Sequence, residues 1–214
     1  MTTLPEAQRA VWPELKSLAS RFVLYGGTAL ALRLGHRQSE DFDFFSDAPV
    51  NPDELLNSLP LLKGVTVRQK AANTLTVTVH RPQPVKISFF GLSLRRVKNP
   101  EATSDGVARV ASLLDIAACK MAVVQSRSES KDYLDAAALL KNGVTLADAL
   151  GAAQAVYGEQ FNPLITLKAL NYFGDGDLAA LPEAVKQLLR AAATIKEVTH
   201  FEPLPGGIVP AEKS

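Results

Sequence analysis

The first hundred residues carry five short stretches rich in β-branched and aromatic residues, at about 21–25, 41–45, 65–70, 75–80 and 85–90. Turn-formers bound most of them, so they are predicted as strands. Ala72-Asn73 and Arg81-Pro82-Gln83-Pro84 supply the turns of a meander through the last three. Helical segments interleave at about 6–20 (broken near Pro13), 29–34 and 52–59, the last capped by Asn51 with Pro52 at its first position. Beyond residue 105 the pattern changes and only helices are expected. Ser112-Leu-Leu-Asp115 is a capping box opening a helix to about residue 126. Further helices are expected over 130–141, from Thr145, from Pro163 and from Pro182. This gives an α+β domain over 1–104 around a small mixed sheet, a helical domain over 105–202, and a loosely held tail over 203–214.

Composition changes this picture little. A 214-residue chain with 47% hydrophobic and 21% charged residues is long enough for one well-buried domain or two small ones, and it is not a disordered composition. No apolar run has the length of a bilayer span, and the N-terminus lacks the layout of a signal peptide. The expected location is the cytoplasm, with no membrane partner. A single cysteine, Cys119, excludes an internal disulfide framework and a cysteine-based metal site. The three histidines lack metal-ligand spacing. Charge is uneven: 13 Lys/Arg against 8 Asp/Glu in residues 1–100, then 10 against 14 in the rest. A mildly basic first half suits a phosphate-bearing ligand but lacks the strong field of a dedicated nucleic-acid binder.

Candidate chemistry concentrates between Tyr25 and Phe45. Gly26-Gly27-Thr28 falls where a strand gives way to a helix, where glycine permits a positive φ and close approach of a ligand. The free N–H groups of a helix start favour phosphate, and Thr28 adds a hydroxyl at the same end. In Asp41-Phe42-Asp43-Phe44 the period of two places both carboxylates on one face, about 7 Å apart at Cα, with the rings on the other. Two carboxylates so placed can bracket Mg²⁺, which also takes phosphate and water oxygens. Aspartate is a poor strand former, and two on one face repel each other unless a cation joins them. Arg37 and Ser39, in the loop before this strand, are either further phosphate contacts or a polar surface loop.

Gly26-Gly-Thr-Ala-Leu30 and Arg37-Gln-Ser-Glu-Asp-Phe-Asp-Phe-Phe45 resemble the first motif of the AbiEii/AbiGii-type nucleotidyltransferase toxins, within the DNA polymerase β-like nucleotidyltransferase superfamily. Leu114-Asp-Ile-Ala-Ala-Cys-Lys120 and Lys131-Asp-Tyr-Leu-Asp135 resemble the family's downstream motifs. The resemblance covers roughly residues 20–140 and implies the polymerase β-like fold followed by helices. It implies transfer of a nucleoside monophosphate from a nucleoside triphosphate to an acceptor, with RNA, and tRNA in particular, expected. Mg²⁺ (or Mn²⁺) would be held by Asp41 and Asp43, and phosphate by Gly26, Gly27 and Thr28. Lys120 is implied as a further nucleotide contact and Asp132, ahead of Asp135, as the downstream catalytic acid. A cognate antitoxin protein is the implied partner.

One position departs from the superfamily pattern. Many members add a third carboxylate from a later strand, and here the matching stretch is Val85-Lys-Ile-Ser-Phe-Phe90, with Ser88 where an acid is expected. A serine hydroxyl is a feeble metal ligand and cannot act as a carboxylate base. The alternative reading is therefore a nucleotide-binding or regulatory module that kept the cleft and lost turnover.

Overall fold

The computed structural model describes residues 3–92 and 94–209. The chain divides into two compact units. One takes the chain to Leu94, then Asn99–Ser112 and the segment from Pro205; the other comprises Arg95–Lys98 and Leu113–Leu204.

The first unit is built on seven strands: β1 (Val23–Tyr25), β2 (Asp41–Ser46), β3 (Thr66–Ala71), β4 (Thr74–His80), β5 (Pro84–Gly91), β6 (Glu101–Ala102) and β7 (Arg109–Val110). Their order across the sheet is β3-β4-β5-β2-β1-β7-β6. The β3–β4–β5 meander is antiparallel, as its turns predict, and β5 then lies parallel to β2. The sheet is mixed, since β1 is antiparallel to β2 and parallel to β7. The short strands β6 and β7 differ from the expectation: two residues each carry too little pattern to register as strands, and β7 forms beyond residue 105 because β1 offers it an open edge.

Three helices belong to this unit: α1 (Glu6–Val11), α2 (Gly26–Leu34) and α3 (Pro52–Ser58). The break predicted near Pro13 is real, because Trp12–Leu18 continues as a 3₁₀ helix. Asn51 caps α3 through Asp53 and Glu54 N–H groups. Phe42 and Phe44 turn inward from β2 and are almost wholly buried, with Phe44 stacked on Phe89 of β5 at 6.0 Å and Phe22 edge-on to Phe89 at 5.3 Å. This aromatic layer fixes which face of β2 is left for its aspartates. The tail is not loose throughout: Ile208 is fully buried.

The second unit is helical: α4 (Leu113–Val123), α5 (Ser130–Lys141), α6 (Leu146–Tyr157), α7 (Pro163–Ala169) and α8 (Glu183–Ala192). The apolar α4 is central, with Ile116, Ala117 and Ala118 fully buried. The side-chain oxygen of Thr145 caps α6 through the Asp148 N–H, and Asn162 caps α7. Asp115, expected in a capping box, accepts from the backbone N–H groups of Val97 and Lys98 at 2.8 and 3.2 Å, fastening that incoming segment to α4. Among the described residues no helix is long and apolar enough to cross a membrane.

Candidate active site

The acidic residues of β2 are placed by the sheet itself. Burial alternates along the strand, with Phe42, Phe44 and Ser46 inside and Asp41 and Asp43 partly exposed. In-register pairing brings Tyr25 of β1 beside Asp43 on one flank and Ser88 of β5 beside it on the other. Two pairs away, on the same face, Asp41 stands opposite Lys86, whose Nζ lies 2.6 Å from Asp41 Oδ2.

The glycine turn lies against this edge. Gly26 has φ +72°, and a Cβ there would come within 2.5 Å of Asp43 Oδ2. A side chain is thus excluded twice, by backbone conformation and by space. A Cβ on Gly27 would lie 2.6 Å from Arg37 Nη2 and 2.8 Å from Ser39 Oγ. The start of α2, Arg37, Ser39 and Asp43 therefore form one locus, although 17 positions separate Gly26 from Asp43.

Thr28 links the helix start to the acidic strand. It is buried, and its hydroxyl donates to the Asp41 carbonyl oxygen while Gln8 Nε2 donates to it at 3.4 Å. A hydroxyl has one proton, and here that proton ties the helix to the acidic strand rather than facing a ligand. Gln8 was not legible in the sequence, since nothing marks a buried glutamine on a short helix.

The strand predicted to supply a third carboxylate is where the sequence places it. Ser88 is buried opposite Asp43, and Thr76 of β4 donates weakly to its Oγ at 3.4 Å. Among the described residues no group of three or more His, Cys, Asp or Glu side chains could hold a metal ion. Asp41 and Asp43 remain a donor pair that suits Mg²⁺, because this hard ion commonly takes one or two protein carboxylates and completes its octahedron with phosphate oxygens and water.

The downstream residues form a second charged group inside the helical unit. Lys120 of α4 reaches Asp132 Oδ1 at 2.9 Å and Asp135 Oδ2 at 2.6 Å, both on α5. Arg127 grips Asp132 with two guanidinium nitrogens, at 2.7 and 3.1 Å. Both carboxylates are fully buried and Lys120 nearly so. Burial raises the Asp132 pKa, but the Arg127 hydrogen bonds and the Lys120 charge outweigh it and hold the carboxyl below its usual range. The sequence marked Lys120, Asp132 and Asp135 as a set; it missed Arg127, which sits in the inter-helix turn with no periodicity to single it out.

The fold is that of nucleotidyltransferases. MenT4, a nucleotidyltransferase toxin of Mycobacterium tuberculosis H37Rv, superposes with a TM-score of 0.62 at 15% identity, over 87% of this chain and 80% of that one. A candidate nucleotidyltransferase from H. pylori gives a TM-score of 0.53 at 19% identity, over 87% and 89% of the two chains. The family model described as the nucleotidyl transferase AbiEii toxin of type IV toxin–antitoxin systems matches residues 14–196, and the chain belongs to that family. An uncharacterised protein of Aquifex aeolicus (strain VF5) is 31% identical over 180 residues, covering 82% of this chain and 85% of its own length.

Proposed function

We propose that the chain is a divalent-metal-dependent nucleotidyltransferase that moves a nucleoside monophosphate from a nucleoside triphosphate onto an RNA acceptor, tRNA first among them. In this reading it is the toxin of a toxin–antitoxin pair. Family membership supports the transferase and toxin classes, and with them a nucleoside triphosphate substrate and an antitoxin partner. The observation that supports a joint phosphate and metal site is the closeness of the glycine turn to Asp43; the RNA acceptor rests on the family resemblance alone.

Each residue then has a task. The N–H groups at the start of α2 hold phosphate with the positive end of the helix dipole, and the absence of side chains at Gly26 and Gly27 lets the phosphate approach the backbone. Arg37 and Ser39, beside Gly27, add a charge and a hydroxyl at that point. Asp41 and Asp43 would hold Mg²⁺ or Mn²⁺, which would supply positive charge to offset that of the phosphates. Thr28 keeps the phosphate-binding and metal-binding parts in fixed relation through the Asp41 carbonyl. The new bond joins the acceptor oxygen to the α-phosphorus as the bond to pyrophosphate breaks. For Lys120 and Asp132, the buried ion pair makes shaping the helical unit the first role, and Asp132→Asn separates that role from a catalytic one.

Incubation with labelled nucleotides, Mg²⁺ and total tRNA tests this. Label transfer that disappears in Asp41→Ala is the expected result. A second reading rests on Ser88 opposite Asp43: a module that binds nucleotide without turnover. Binding without transfer, in native protein, supports that reading instead.

A further inference from the structure

Lys86 is a charged neighbour of the site to which neither the motif nor the proposed reaction gives a part. It projects from β5 directly opposite Asp41, on the face that Ser88 shares, and its ammonium lies 2.6 Å from an Asp41 oxygen intended for metal. Both side chains are partly exposed, at 46% for Lys86 and 40% for Asp41, so the pair is not sealed and the ammonium has room to leave. An exposed pair of this kind is weak enough for a divalent ion to displace. Lysine is a compact charge on a flexible four-carbon stem, suited to such a move.

Charge balance gives the move a destination. A nucleoside triphosphate carries more negative charge than one divalent ion removes, and Asp41 and Asp43 add two further carboxylates. Where a third acid would draw in additional metal, this chain has an uncharged serine held by Thr76. We propose that Lys86 is a transferable cation: it neutralises Asp41 in the nucleotide-free protein and passes to the triphosphate when metal takes Asp41. This rests on the assignment of Asp41 as a metal ligand. Two consequences follow. Free metal is held weakly, because it must displace Lys86 and then sit beside it. Metal held between Asp41 and a nucleotide is held better, because the ammonium gains a phosphate partner.

The test uses full-length native protein with Lys86→Met, Lys86→Gln, Lys86→Arg and Asp41→Asn, each checked for an unchanged melting temperature. Mn²⁺ alone is titrated by electron paramagnetic resonance. Removing the ammonium should tighten Mn²⁺ binding on the order of tenfold, and the gain should vanish when Asp41→Asn is added. In a second arm, nonhydrolysable ribonucleoside triphosphate analogues with Mg²⁺ should bind about threefold to fivefold more weakly to Lys86→Met and Lys86→Gln than to native protein. Lys86→Arg should stay near native in both arms. Unchanged Mn²⁺ affinity, or unchanged analogue affinity, in both neutral variants overturns the inference while leaving Asp41 a metal ligand. Failure of Asp41→Asn itself to weaken Mn²⁺ binding overturns the metal assignment and the inference with it.

Discussion

Asp41 and Asp43 stand partly exposed on one strand face beside a glycine turn, whereas Asp132 and Asp135 have no solvent-accessible surface and share Lys120 between them. Both groups pair aspartates at short sequence spacing, and both match family motifs. Their surroundings differ in a way that sequence spacing does not convey. In the helical unit the compensating cations are built in: Lys120 serves both acids and Arg127 adds a two-pronged grip on one. In the sheet unit Asp41 meets its cation, Lys86, at a partly exposed pair that a ligand can displace. Buried, internally compensated charge holds structure together; accessible, loosely compensated charge is suited to a ligand.

The largest expected effect comes from opening the buried group. Asp132→Ala leaves Lys120 and Arg127 facing an empty buried position and should cost about 3–5 kcal/mol, seen as a lowered urea midpoint. Asp132→Asn keeps the shape and separates the roles. If the acid acts only structurally, transfer follows the folded fraction; loss of transfer in folded protein would restore the catalytic role implied by the motif. Next comes Asp43→Asn, predicted to lower transfer by about 10²–10³ while stability stays within about 0.5 kcal/mol of native. A large loss of stability there would erase the distinction between the two groups.

Gly26→Ala should have a smaller effect on stability, about 1–3 kcal/mol, from the left-handed backbone that the residue must adopt. It should also weaken nucleotide binding, because the new methyl group forces the Asp43 carboxylate to move. The smallest effect is in the pH dependence of unfolding. Asp132 has a folded pKa below its unfolded value, so its contribution is complete above the unfolded value of about 3.9 and is lost as pH falls through the folded one. Urea midpoints should be insensitive to this group at neutral pH and decline in acid, and Asp132→Asn should lack that part of the decline.

Much of this was legible before the fold was seen, for physical reasons. The period of two put Phe42 and Phe44 inward and both aspartates outward, and burial along β2 follows that pattern. Asn51 and Thr145 announced helix starts because their side chains accept from free N–H groups, and Pro163 announced another because proline suits a first helical position. The glycine turn was readable as a turn, but its contact with Asp43 was not, since only strand pairing brings 26 and 43 together. Lys86 was placed on the Ser88 face by alternation, yet its partner depends on the parallel register of β2 and β5. The Thr28 hydrogen bond to the Asp41 carbonyl was not legible, because a hydroxyl at a helix start has two ordinary uses and only the fold brings residue 41 within its reach. Strands β6 and β7 stayed hidden because two residues have no period.

The central claim is that the turn at Gly26 and the acids of β2 serve one ligand. A crystal of the full chain grown with Mn²⁺ and a nonhydrolysable nucleoside triphosphate tests it most directly. An anomalous peak is expected within coordination distance of Asp41 and Asp43, joined through phosphate density to the backbone N–H groups at the start of α2. Ordered nucleotide at another place on the protein, with no metal on either aspartate, would contradict it.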